Sequence, residues 1–142
     1  MEWIKTLSLG KRLRQADDGN AMSVETVTAS KTLTVEDSGK TFLVATDALV
    51  ITLPATVAGV EYTFINTGAD DHNIITISPV AADGIAGTII LASSVVVRAG
   101  TVDTDLVNTK SGANFGDSVT IRGTGTTGVS AWIILHSTGI WA

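Results

Sequence analysis

Few residues in this chain combine types and spacing that could do chemistry, and the densest group of donors is Asp70-Asp71-His72. With Asp103, Asp105 and the nearby Asn108 as a second group, these are the oxygen and nitrogen ligand types of a calcium or transition-metal site. Both groups fall in or beside segments that read as loops, where carboxylates commonly face water, so no metal site is expected. Gly123-Thr-Gly125-Thr-Thr-Gly128 has the G-x-G-x-x-G spacing of a dinucleotide loop, but such a loop must open a helix whose N-terminus meets the pyrophosphate. A β-type run, Val129-Ser-Ala-Trp-Ile-Ile-Leu, follows instead. The last lysine is Lys110, too early for a kinase-type glycine loop, so the motif reads as a hairpin turn. Ser38-Gly39-Lys40-Thr41 ends like a phosphate-binding loop, yet Thr34 stands where its first glycine belongs. It reads as a turn with a solvated lysine.

Acyl transfer needs a nucleophile, a base and an orienting carboxylate, and only His72 and His136 could be histidine bases. Ser130 lacks the second glycine of a nucleophile elbow, and His136 ends an apolar strand and reads as a sheet-edge residue. A carboxylate pair for glycoside hydrolysis is a spatial feature that spacing does not announce. The expectation is a protein with no catalytic residue and no cofactor, and not an enzyme. Trp132 and Trp141 could stack on sugars, but core packing for the first and docking of the chain end for the second are favoured.

The elements that must position these residues are strands. The chain has 142 residues, enough for one domain with a real core. It holds 21 Thr, 15 Val and 13 Ile against 10 Leu, a bias toward branching at Cβ that suits strands. About eleven short runs between Val24 and His136 are separated by Gly, Pro, Asn and Asp turn signals, Asp83-Gly84 among them. That spacing predicts an all-β fold, a compact sandwich or jelly-roll-like barrel of short antiparallel strands. Ile74-Ile75-Thr76-Ile77 and Trp132-Ile133-Ile134-Leu135 are apolar on both faces. Each is expected either at the centre of two layers or under a neighbouring subunit.

With no Cys there is neither a disulfide nor a thiolate zinc site, so packing or oligomerisation must stabilise the fold. A net charge of −5 argues against nucleic acid as a partner. No apolar stretch reaches membrane-spanning length, and the basic residues follow rather than precede the first apolar run, the wrong order for an export signal. Charge is uneven: the first twenty residues carry four basic and three acidic side chains, the rest five basic and eleven acidic. Residues 1–23 therefore read as an N-terminal arm and 24–142 as the β domain. Trp3 and Leu7, four apart, could share a helix face, and with Lys11, Arg12 and Arg14 they are the candidate partner-binding residues, suited to an acidic protein groove.

Two segments carry a resemblance. Val50-Ile-Thr-Leu-Pro-Ala-Thr through Gly59, Tyr62-Thr-Phe-Ile-Asn-Thr-Gly68 and Ile74-Ile-Thr-Ile-Ser-Pro79 form the first. Gly116-Asp-Ser-Val-Thr-Ile121 to Trp132 and Gly139-Ile-Trp141 form the second. Over residues 41–142 the chain resembles small β-rich virion proteins of tailed bacteriophages, most of all capsid decoration (cement) proteins. The resemblance assigns no functional residue. It implies a homotrimer on the capsid exterior, synthesised in the host cytoplasm and seated on the major capsid protein where capsomers meet. The alternative it leaves is a head-fibre or tail-fibre adhesion module that binds host-surface glycans.

Overall fold

The structure, a computed structural model, describes residues 23–142. The expected arm apart from Ser23, with its Trp3, Leu7, Lys11, Arg12 and Arg14, lies outside the described residues. Alternation makes the strands: in Glu61–Asn66, Tyr62, Phe64 and Asn66 are buried while Glu61, Thr63 and Ile65 are half-buried, so one face packs and the other meets water. In chain order the strands are β1 (Val24–Val27), β2 (Lys31–Thr32), β3 (Thr41–Val44), β4 (Leu49–Thr52), β5 (Glu61–Asn66), β6 (Ile75–Ser78), β7 (Asp83–Leu91), β8 (Ser94–Arg98), β9 (Leu106–Asn108), β10 (Ser118–Gly123) and β11 (Gly128–Thr138). The helical elements among the described residues are two single 3-10 turns, Val35–Asp37 and Lys110–Gly112.

Seven strands form one sheet in the order β1-β3-β5-β10-β11-β7-β8, and four form the other, β2-β4-β6-β9. The two pack as a β-sandwich, as the all-β expectation had it. The pairing within it is not purely antiparallel. β1, β3 and β5 are parallel neighbours in one sheet, and β2, β4 and β6 in the other. From β1 to β6 the chain alternates between the sheets, winding as a coil. A parallel pair needs a long crossover, and here each crossover contains a strand of the opposite sheet. Short runs and turn residues look the same in a coil and in a meander, so sequence favoured the commoner antiparallel arrangement. Antiparallel pairing returns at β5–β10, β10–β11, β7–β8 and β6–β9, while β7 and β11 are again parallel.

The core fills the space between the sheets. Phe42 stacks on Phe64 with centroids 5.5 Å apart, and Tyr62 lies 5.6 Å from Trp132. Ile51, Leu53, Ile75, Ile77 and Leu106 meet them from the smaller sheet, all fully buried. Each such side chain contributes about 1.5–3 kcal/mol over its exposed state. Trp141 is also fully buried, its Nε1–H donating to the Thr138 carbonyl at 3.0 Å. Beside it Ala142 and Val107 exchange backbone hydrogen bonds of 2.9 and 2.8 Å, which dock the chain end on β9. Of the runs apolar on both faces, Ile74 to Ile77 has Ile75 and Ile77 inside and its other residues half-buried. In the second, Trp132 is inside, Ile133 and Ile134 are half-buried and Leu135 is exposed.

Candidate functional site

Strand direction gives the sandwich two ends, each with its own polar cluster. At the end where β3 and β5 start, the Thr41 amide donates to the Ser23 carbonyl at 2.8 Å, which fastens the start of β1 to β3. Glu25 on β1 pairs with Lys31 and, at 3.2 Å, with Lys40; Lys40 also pairs with Asp37 at 2.6 Å. Lys31 holds the Glu25 carboxyl below its usual range with Lys40 assisting, and Lys40 does the same for Asp37. The two carboxylates in turn raise the Lys40 ammonium. Lys40, expected as a solvated lysine, is thus a half-buried junction between the edge strand and the turn that precedes β3. The cleft beside it, about 340 Å³, is lined by Ser38, Gly39, Lys40, Gly59, Glu61 and Thr63. Its other charge, Glu61, is held by Arg122 at 2.7 Å, and the Ser38 hydroxyl accepts the Glu61 amide at 3.1 Å.

At the opposite end four buried polar side chains form a clasp that sequence reading missed. Asn66 donates to Asn108 at 2.8 Å, Asn73 donates to Asn66 at 3.0 Å, and Asn108 donates to Asp117 at 3.0 Å and to the Ile140 carbonyl at 2.8 Å. Asp117 also accepts the Asn114 amide at 2.9 Å. The loops after β5 and β9 are thereby tied to the chain end. Gly139, at φ 81°, lies so close that a Cβ there would stand 2.0 Å from the Asp117 carboxyl carbon. The signal was present, since Asn66 and Asn108 interrupt β runs, but asparagine at a strand end reads equally well as turn chemistry.

The loop acids expected to face water do so, and they brace loops. Asp70 accepts the Phe115 amide at 2.8 Å, its carbonyl contacts His72 Nδ1 at 2.6 Å, and Asp71 donates its amide to Ala113 at 2.8 Å. Phe115 itself is 69% exposed. Asn108 is buried in the clasp, apart from the exposed Asp103 and Asp105, so the second donor group does not assemble. Among the described residues no three His, Cys, Asp or Glu side chains come together as metal ligands would. His136 and Ser130 are exposed on β11, the interior neighbour of β10 and β7, so His136 is not at a sheet edge.

The glycine motif is the turn of the β10–β11 hairpin. Its glycines answer to packing: a Cβ at Gly123 would sit 2.4 Å from the Val57 carbonyl, and at Gly125, φ 78°, 2.9 Å from the Ala58 nitrogen. Thr56 fastens the contact, accepting the Gly125 amide at 3.1 Å and donating to Ala131 at 2.6 Å. Asp83-Gly84, expected as a turn, begins β7 instead. Asp83 is buried with its carboxylate accepting the Thr56 amide at 2.9 Å, and at Gly84 the Thr101 and Val129 carbonyls approach too closely for any side chain. No family model matches this chain, and no curated protein matches it significantly.

Proposed function

We propose that this chain is a structural protein of a tailed-bacteriophage virion, a decoration protein that binds the outer face of the capsid as a homotrimer and stabilises the shell. The observation that carries the choice over a glycan-binding fibre module is where the aromatic rings lie. Phe42, Tyr62, Phe64, Trp132 and Trp141 are all fully buried. Of the described aromatic residues only Phe115 is exposed, so Trp132 and Trp141 offer sugars no stacking surface. The sandwich is braced at both ends by ion pairs and buried amides, which suits a rigid protein that acts by holding surfaces together. Stabilisation follows from linkage: a protein that binds only the assembled shell adds about 2.7 kcal/mol per site at one hundred times its Kd. Many sites per particle multiply the effect.

The test is co-sedimentation of the purified chain with heads of the phage that carries its gene, with copy number read by densitometry. Saturable binding at hundreds of copies, with a higher temperature of head disruption, is the expected result. A handful of copies at the tail, or binding to host polysaccharide rather than heads, overturns the proposal in favour of the fibre module.

A further inference from the structure

The outer face of the larger sheet changes character across its width. Over β5 and β10 it is polar, with Thr63 and Thr120 hydroxyls 2.9 Å apart and Glu61 paired to Arg122. The register carries this same face from Arg122 to Ile133 on β11, from Ile133 to Ala86 on β7, and from Ile90 and Thr88 of β7 to Val95 and Val97 on β8. There it becomes mostly apolar, with Thr88 and His136 its exposed polar residues. Val95 is 66% exposed, Val97 80% and Leu135, the extra residue of a bulge opposite β10, 43%. Ile90 and Ile133 are half-buried between them. Among the described residues nothing covers this patch.

The two edges of that sheet also differ. β1 carries Glu25 with its lysine partners, the charged edge that discourages pairing with another chain. β8 reads Ser-Val-Val-Val-Arg, and its one charge is turned away: Arg98 donates to the carbonyls of Ile85, Thr104 and Asp105 at 3.0, 3.1 and 2.7 Å. An open edge and an apolar face therefore coincide.

Charge selects the occupant. From Gly84 to Val102, and from Ser118 to Ala142, there is no Asp or Glu. Copies of a chain with net charge −5 repel one another, and a contact between them is least opposed where acids are absent. The basic cluster Lys11, Arg12 and Arg14 would find no carboxylate within these two segments. We infer that the outer face of β11, β7 and β8, centred on Val95 and Val97, is the surface through which copies of this chain associate. The inference rests on the homo-oligomer of the proposed function and names its contact.

The test needs no capsid, so its failure is separate from failure to bind shells. Light scattering on the purified full chain should give an oligomer, and Val97→Lys, which would bury an unpaired ammonium, should weaken association on the order of a hundredfold or more. Because the chain has no cysteine, Val97→Cys supplies a single thiol that reports the face even if the lysine variant misfolds. Its reaction with a maleimide should slow as protein concentration rises, while Phe115→Cys, at the end loops, should stay reactive throughout. A monomeric wild type overturns the inference. So does an oligomer in which the thiol at position 97 stays reactive, or a thiol protected in a monomer until residues 1–20 are removed, since the arm would then be the cover.

Discussion

Tyr62 is the chain's one tyrosine, and it donates its phenol hydrogen to the Thr34 carbonyl at 2.6 Å. Burial, helped by the charges of Asp37 and Glu36, pushes its pKa from 10.0 up to about 12. A raised pKa on an acid that is neutral below it means folding favours the phenol. That contribution is complete below pH 10 and is lost as pH climbs from 10 through about 12. Phenolate absorbance should therefore appear near pH 12 and coincide with loss of β circular dichroism; a folded protein that titrates near 10 would contradict the burial. Trp132 poses a different problem, since its Nε1–H is buried without a partner. Trp132→Ala should cost about 3–5 kcal/mol in denaturant melts. Trp132→Phe should cost markedly less, because it removes an orphan donor whose burial is worth about 1–3 kcal/mol against folding.

Individual elements are held by the clusters at their ends. The pairs of Glu25 and Asp37 with Lys31 and Lys40 join β1 and β2 to the turn before β3. Both carboxyl pKa values are lowered, so their stabilisation is whole above the ordinary values of 4.5 and 3.8 and disappears as pH falls through the lowered ones. At about a third exposed, the Glu25 pairs are worth about 1 kcal/mol or less. Glu25→Gln should flatten the acid limb of a melting-temperature profile by that small amount. The amide clasp is worth more. Asn108→Ala leaves Asn66, Asp117 and the Ile140 carbonyl each short of a partner, at about 1–3 kcal/mol for every group left unsatisfied. Gly139→Ala should be as damaging, since Asp117 must move to admit the methyl group. Hydrogen exchange should show both changes first in the Trp141 segment and β9.

For the whole molecule, charge and shape divide the tasks. Removing residues 1–20 takes away the basic excess and should leave a folded oligomer that no longer binds phage heads; undiminished binding would show that the partner contact belongs to the body. What the sequence by itself determined was the material: an abundance of residues branched at Cβ, alternation and turn chemistry predict an all-β sandwich or barrel, most strand positions and a buried Trp132 without any long-range information. Those signals act within a few residues, so they survive in a linear reading. Pairing does not, because whether a strand folds back on its neighbour or crosses to the other sheet depends on partners dozens of residues away. Only the tertiary structure therefore decided the parallel coil, made Asp83-Gly84 a strand start and gathered Asn66, Asn73, Asn108 and Asp117 into one clasp. The same holds for the apolar face. Val95, Val97, Ile133 and Leu135 look like ordinary strand residues until the order β11-β7-β8 lays them side by side on the outer surface of the sheet.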